Sequence, residues 1–349
     1  MNNTNPFPIG QVDEGFSLYL PPYDFDASLE ESKVASANEQ NRKCSAKRIT
    51  GSFIYAHPAD YCGRPMLYAS EVEWCDLFDE LQHKHIDTVI FQAVLWRELG
   101  ECYYQSQRYN FLQQYRVVEN MLAAAADKKM TVYLGGYGSV AGWAKRLSEE
   151  QLCAEIAEHK ACFTELSKMG KFSGCYFPCE TAYHGERNSE AERRMNRLYQ
   201  AFSDTVKEFN PSLQVIASPA GYLYPGKTQE FLDFWQAILL ESNVDILMPQ
   251  DSVGNCNCTL PELLPMWSLW KQAADNSGTT LWAHVEIFER RSFLEKVNLY
   301  PAAPERVAVQ VAIASAVAEK LVAWEVPYFG SAVSGKEGER LSHYLEHQQ

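Results

Sequence analysis

Three acidic residues stand at or near the ends of β-like runs: Glu180 closes GCYFPCE at 174–180, Asp251 closes DILMPQD at 245–251, and Glu286 lies in TTLWAHVEIF at 279–288. Cutting an acetal needs one carboxylic acid to protonate the leaving oxygen and one carboxylate to attack or to activate water. Two glutamates over one pocket supply both. The reading assigns Glu180 as general acid/base, its pKa raised by a neighbouring carboxylate, and Glu286 as a nucleophile kept ionised by hydrogen bonds, with Asp251 in reserve. A retaining mechanism needs the two carboxyls about 5 to 5.5 Å apart. One such glutamate alone could equally cap a loop amide or pair with Arg187 or Arg290. The pair, with Asp251 beside it, carries the inference, because idle carboxylates near a lumen are costly.

Side chains alternate along a strand. If Glu180 faces inward, so do Tyr176 and Pro178, while Cys175, Phe177 and Cys179 face helices and pack there. The same parity puts Trp282, His284 and Glu286 on one face. The remaining strand ends offer sugar contacts: Gln92, Ser218 and Gln250 for hydroxyls, and Trp96, Tyr137, Tyr183, Tyr222, Trp282 and Trp324 as platforms for the apolar face of a pyranose. Trp74, Trp235, Trp267 and Trp270 fall on predicted helices and belong to the core.

Elements that position these residues follow from periodicity. Residues 1–47 have no sustained period and form an irregular N-terminal extension. From 48 to 349, β-branched or aromatic runs alternate with helical stretches. The runs are 49–55, 87–95, 130–136, 174–180, 214–220, 245–251, 279–288 and 321–329. The helices cover 71–84, 109–128, 148–169, 189–209, 228–241, 261–276 and 304–320, with a last one from Gly338; Ser70 and Ser148 serve as N-caps and Pro261 and Pro304 open first turns. Eight consecutive units predict a single (β/α)8 TIM barrel of the α/β class, whose active site lies at the C-terminal strand ends. An open nucleotide-binding sheet would want a Gly-rich loop after the first strand, and TGSFIYAHPAD has none.

Composition narrows the partners. With 349 residues, 46% hydrophobic and 22% charged, the chain is an ordinary globular one. A net charge of -14 disfavours nucleic acid. No basic stretch precedes an apolar core at the start and no window reaches the length of a membrane span, so the expected address is cytoplasmic, with no membrane partner. The ten cysteines are then expected as reduced thiols. Cys256 and Cys258 lack the spacing of a structural zinc site, and neither metal nor cofactor is expected. Oligomeric state is not legible.

The motifs ITGSFI, WCDLFDELQHKHIDTVIFQ, YFPCET, DILMPQDSVG and LWAHVEIFE together resemble a bacterial domain family of unknown function, numbered four-four-three-four and regarded as a glycosidase-like TIM barrel. The resemblance spans roughly residues 48 to 330. Its recurring positions fall on Thr50-Gly51, Pro178 with Glu180, Gln250-Asp251 with Gly254, and Trp282 with Glu286. What it implies is O-glycoside hydrolysis of an oligo- or polysaccharide by two glutamates on strands four and seven. Cys179 stands where the large retaining glycosidase clan has Asn before its strand-four Glu, which leaves a sugar 2-hydroxyl contact to Gln250 or Asp251. Two other readings of the same residues are a sugar-binding barrel without catalysis and a metal-dependent sugar isomerase or lyase built on Glu180, Asp251, His284 and Glu286.

Overall fold

Short runs of Ile, Val, Phe and Tyr, buried on both faces, pair in parallel and close into an eight-stranded barrel in the computed structural model. The structure describes residues 35–39, 41–43, 45–56, 66–139, 147–183, 185, 187, 189–222, 224, 226–291 and 299–348. The barrel strands are β1 (Ile49–Ile54), β2 (Thr88–Phe91), β3 (Thr131–Gly135), β4 (Gly174–Phe177), β5 (Gln214–Ala217), β6 (Ile246–Leu247), β7 (Thr280–Glu286) and β8 (Lys320–Trp324). Each pairs with its sequence neighbours, and β1 pairs with β8 to close the ring.

Outside the barrel lie α1 (Glu71–His83), α2 (Val117–Lys128), α3 (Glu149–Leu166), α4 (Ser189–Phe209), α5 (Thr228–Glu241), α6 (Leu260–Ser277), α7 (Pro304–Ser315) and α8 (Gly335–Glu346). Ser70 and Ser148 close capping boxes with Glu73 and Gln151, each satisfying two amides that the first helical turn leaves open. Trp235 and Trp270 meet between α5 and α6 with ring centroids 5.0 Å apart, and Trp267 is fully buried, so these tryptophans pack as expected. Among the described residues no helix is long and apolar enough to cross a membrane.

Aromatic rings, stacked in layers, fill the barrel. At the N-terminal end Tyr133 meets Trp282 edge-on at 5.8 Å. Above it Phe53 packs against Tyr176 at 5.2 Å and stacks on His284 at 4.6 Å, with Trp324 at 5.1 Å from Phe53. These contacts establish the inward parity of Tyr176, Trp282 and His284.

The structure departs from the periodicity in four places. The run 87–95 divides: β2 ends at Phe91, and 95–96 leaves the barrel to join a small sheet with 101–102, 113–114 and 137–138. The helix expected from 109 begins only at Val117, because 109–116 runs into that sheet; the Tyr109 amide is taken by Ser106 Oγ at 2.8 Å and its hydroxyl by Glu158 at 2.8 Å. After β8, Pro327 turns the chain into a short helix, 326–329, where continued strand was expected. Within the N-terminal extension, most of which lies outside the described residues, 35–39 and 41–43 are helical and not irregular, and Asn41 Nδ2 donates to the Tyr344 hydroxyl of α8 at 2.6 Å.

Candidate active site

The C-terminal strand ends converge on an open pocket lined by Glu180, Gln250, Asn255, His284, Glu286, Phe288, Arg290, Leu299 and Trp324. Glu180 follows β4 and remains partly accessible. Glu286 ends β7, paired in register with Trp324 of β8, and is only 4% exposed.

Burial dominates the electrostatics. It pushes the Glu180 carboxyl up to about 7, against a hydrogen bond from Gln250 that favours the charged form. Glu286 is pushed up to about 8, first by burial and then by the charge of Asp251, although the Asn255 amide donates to its Oε2 at 2.8 Å and Arg306 is near. The expected acidities therefore need correcting: burial, not a neighbouring carboxylate, raises Glu180, and Glu286 is not kept ionised. One hydrogen bond and one nearby guanidinium do not repay its desolvation.

Asp251 stands behind the pocket wall, not in it. Its carboxylate accepts from Gln310 Nε2 at 2.6 Å and from the amides of Val253 and Glu286 at 3.3 Å each, tying the loop after β6 to β7 and α7. Burial raises it to about 6. Gln310 Nε2 and Arg306 Nη2 also donate to the Glu286 carbonyl, at 3.2 Å each. His284 sits below Glu286, held by Ser218 Oγ at 2.9 Å from Nδ1; burial lowers its pKa to about 3, so the ring is neutral, and among the described residues Nε2 has no partner. Ser218 thereby orients His284 and does not line the pocket.

Of the proposed platforms, Trp324 lines the pocket. Tyr222 lies near it: burial raises its hydroxyl to about 12, and the charges of Glu180 and Glu286 add to the shift. The others are placed elsewhere. Trp282 lies two residues deeper than His284, at the far end of the lumen, with Lys320 5.7 Å from its ring. Trp96 packs flat on Gly138, where an added Cβ would come within 2.6 Å of the ring. Tyr137 is buried against Tyr109 and His159 and accepts from Arg97 at 3.3 Å. Tyr183 is enclosed by Tyr224, Phe231 and Phe234, and its hydroxyl donates to Glu230 at 3.0 Å. Gln92 is buried beside the Tyr176 hydroxyl.

The capping and ion-pairing alternative holds for other strand-end acids. Glu289 pairs with Arg291 at 2.8 Å, and Glu325 accepts the Tyr55 amide at 3.0 Å. Arg187 pairs with Glu192 and Asp233 instead of Glu180. The four-residue metal set of the isomerase reading is not assembled: among the described residues Glu180, Asp251, His284 and Glu286 do not converge within reach of one ion. Cys179 points away from the pocket, with Sγ 3.9 Å from His159 Nε2, so position 179 makes no sugar contact.

Asn255, Phe288, Arg290 and Leu299 line the pocket but were not proposed as contacts. Phe288 and Arg290 continue the inward parity of His284 and Glu286, which was the available signal. Leu299 arrives on a hairpin arm, 299–301, paired antiparallel with 288–290, and nothing local in the sequence announces it.

Among solved structures similar to this one is a candidate alpha-L-fucosidase from Bacteroides thetaiotaomicron VPI-5482, with a TM-score of 0.70 at 20% identity, covering 87% of this chain and 96% of that one. An endo-1,4-beta-D-mannanase from Thermotoga petrophila RKU-1 aligns with a TM-score of 0.56 at 11% identity, covering 86% and 99%. An endo-1,4-beta-mannanase from Rhizomucor miehei gives 0.52 at 10%, covering 86% and 94%. These likenesses concern the fold. Comparison with curated proteins finds no match. Residues 49–332, from the first barrel strand to beyond the last, match the family described as Domain of unknown function (DUF4434), and the chain belongs to that family.

Proposed function

We propose that this barrel hydrolyses O-glycosidic bonds, with Glu180 and Glu286 as the carboxyl pair. The observation that carries the reading is the placement of two carboxyls with pKa values raised by desolvation, Glu180 just after β4 and Glu286 at the end of β7, beside one pocket that also offers Gln250, Asn255, Arg290 and the Trp324 ring. Glu180 is the more accessible of the two, as a proton donor to a leaving oxygen must be. Glu286, fixed by the Asn255 amide and by the donors on its own carbonyl, has the rigid seat that an attacking carboxylate requires. The glycosidase names among the structural neighbours support the reaction class.

The pair works only when it holds one proton, and the working form carries it on Glu180 with Glu286 ionised, the reverse of the order in which burial alone would place it. At low pH both carboxyls are protonated and nothing attacks; at high pH both are ionised and nothing protonates the leaving group. Activity on a panel of aryl glycosides should therefore give a bell-shaped kcat/KM profile centred midway between about 7 and about 8. An optimum near pH 4 or 5 would mean that neither carboxyl is desolvated in the working enzyme. Sugar binding without turnover on any member of the panel would move the protein to the non-catalytic, sugar-binding reading.

A further inference from the structure

Outside the pocket, a second set of chemically capable side chains meets behind β4. Glu155 and His159 are one turn apart on α3 and so share a face, and Cys179 reaches them from the loop after β4. His159 Nε2 lies 3.5 Å from Glu155 Oε1 and 3.9 Å from Cys179 Sγ, and the three ligand atoms are all within 4.8 Å of one another. All three side chains are buried: 5%, 2% and 1% exposed. Tyr137, Phe177 and Phe202 enclose the imidazole.

Hydrogen bonding alone accounts poorly for this cluster. A direct N–H···O bond to a carboxylate spans about 2.7 to 3.2 Å, and the observed N···O separation is longer. Among the described residues Ser139 donates to both acceptors, its hydroxyl to the Glu155 carboxylate at 2.7 Å and its amide to the Cys179 sulfur, and Glu155 has no ionic partner other than His159. Donor atoms bound at about 2.0 to 2.3 Å around one tetrahedral ion lie roughly 3.3 to 3.6 Å apart, so small adjustments would seat an ion among these three.

We propose that Glu155, His159 and Cys179 form a structural site for a divalent ion of the zinc class, bound through Oε1, Nε2 and Sγ with a fourth position for water. Thiolate with imidazole and a single carboxylate suits zinc or cobalt and disfavours calcium or magnesium, which prefer all-oxygen sets. Binding would release the thiol proton to solvent as the sulfur–metal bond forms, so affinity should rise with pH. The ion would clamp α3 to the residue immediately before Glu180. The consequence for Glu180 rests on the catalytic reading above, but the metal site does not.

The test uses the full chain, stripped with a chelator and titrated with zinc against a chromophoric competitor, then with cobalt. Expected are one tight equivalent of zinc, a thiolate-to-cobalt charge-transfer band, and a higher Tm with zinc. In Cys179→Ser the band should vanish and affinity fall on the order of 100-fold or more, beyond the loss from removing a mere supporting partner. Should Cys179→Ser fail to fold, Glu155→Gln, nearly isosteric, should weaken zinc while keeping the cobalt–thiolate band. The proposal is overturned if no tight zinc binds, if bound cobalt lacks the band, or if binding depends on His343 of α8 and His347 just after it, part of the other cluster of possible ligands among the described residues. It is overturned equally if Cys179→Ser or Glu155→Gln binds as tightly as the parent chain.

Discussion

Glu180→Gln and Glu286→Gln should each lower kcat/KM on a turned-over aryl glycoside by at least about 1,000-fold, and the double variant should be scarcely worse than either single one. Groups that act as a unit lose their joint contribution when one is removed. The roles separate with azide: rescue of Glu180→Ala should give a glycosyl azide that retains configuration, and rescue of Glu286→Ala an inverted one. Unchanged turnover in both Gln variants would overturn the assignment. A physical readout accompanies the kinetic one. Both carboxyls have folded-state pKa values above the ordinary carboxylate value, at about 7 and about 8. The native state therefore holds these protons more tightly than the unfolded chain does. Their contribution to stability is full below the unfolded value near 4.5 and is lost as pH rises through 7 to 8. Glutamine cannot ionise, so each variant should gain stability over the parent above pH 8, on the order of 1 to 3 kcal/mol, and little at pH 4.5. Thermal melts at the two pH values measure it.

Gly254→Ala should damage both folding and activity although it adds one carbon. A Cβ there would lie 2.3 Å from the Phe288 carbonyl oxygen, 3.0 Å from Glu286 Cβ and 3.1 Å from Glu286 Oε2. The carbonyl belongs to the backbone and cannot swing aside, so the loop after β6 must lift from β7. That movement pulls the Asn255 amide away from Glu286. A loss of about 1 to 3 kcal/mol in urea denaturation is expected from the overpacking. A fall of about 100-fold in kcat/KM should accompany it, the cost of one misplaced donor at a reacting centre. The alkaline limb of the pH profile should also move upward, since the lost N–H favoured the charged form of Glu286, the carboxyl with the higher pKa. Wild-type kinetics in Gly254→Ala would mean that Glu286 is not held by this loop during turnover.

The barrel was legible because every strand is a compact apolar run with period-2 parity, and because caps such as Ser70 and Ser148 mark where helices begin. The parity of β7 placed His284 and Glu286 correctly relative to each other. It could not say how deep a residue lies, and Trp282 therefore read as a platform although it lies near the floor of the lumen. Trp96, Tyr137 and Tyr183 were misplaced for another reason. Each follows a strand end, but the chain leaves the barrel there, into the side sheet or against α5, and that departure depends on tertiary pairing between 95–96 and 137–138. The acidities were illegible because they follow from desolvation, which depends on what surrounds a carboxyl in three dimensions. Glu289 and Glu325 look like Glu286 in sequence, and only their partners, Arg291 and the Tyr55 amide, set them apart.

The ring layer beneath the pocket has a meaning for the acidity of the site. Phe53, Tyr176, His284 and Trp324 give the two carboxyls an apolar floor with a neutral imidazole in place of water or a cation. Phe53 is on β1, far along the chain from either glutamate. The pH at which the pocket gives up its protons is thus written partly into the barrel's filling, and a lineage could move its working range by exchanging a buried ring while every side chain lining the pocket stayed the same.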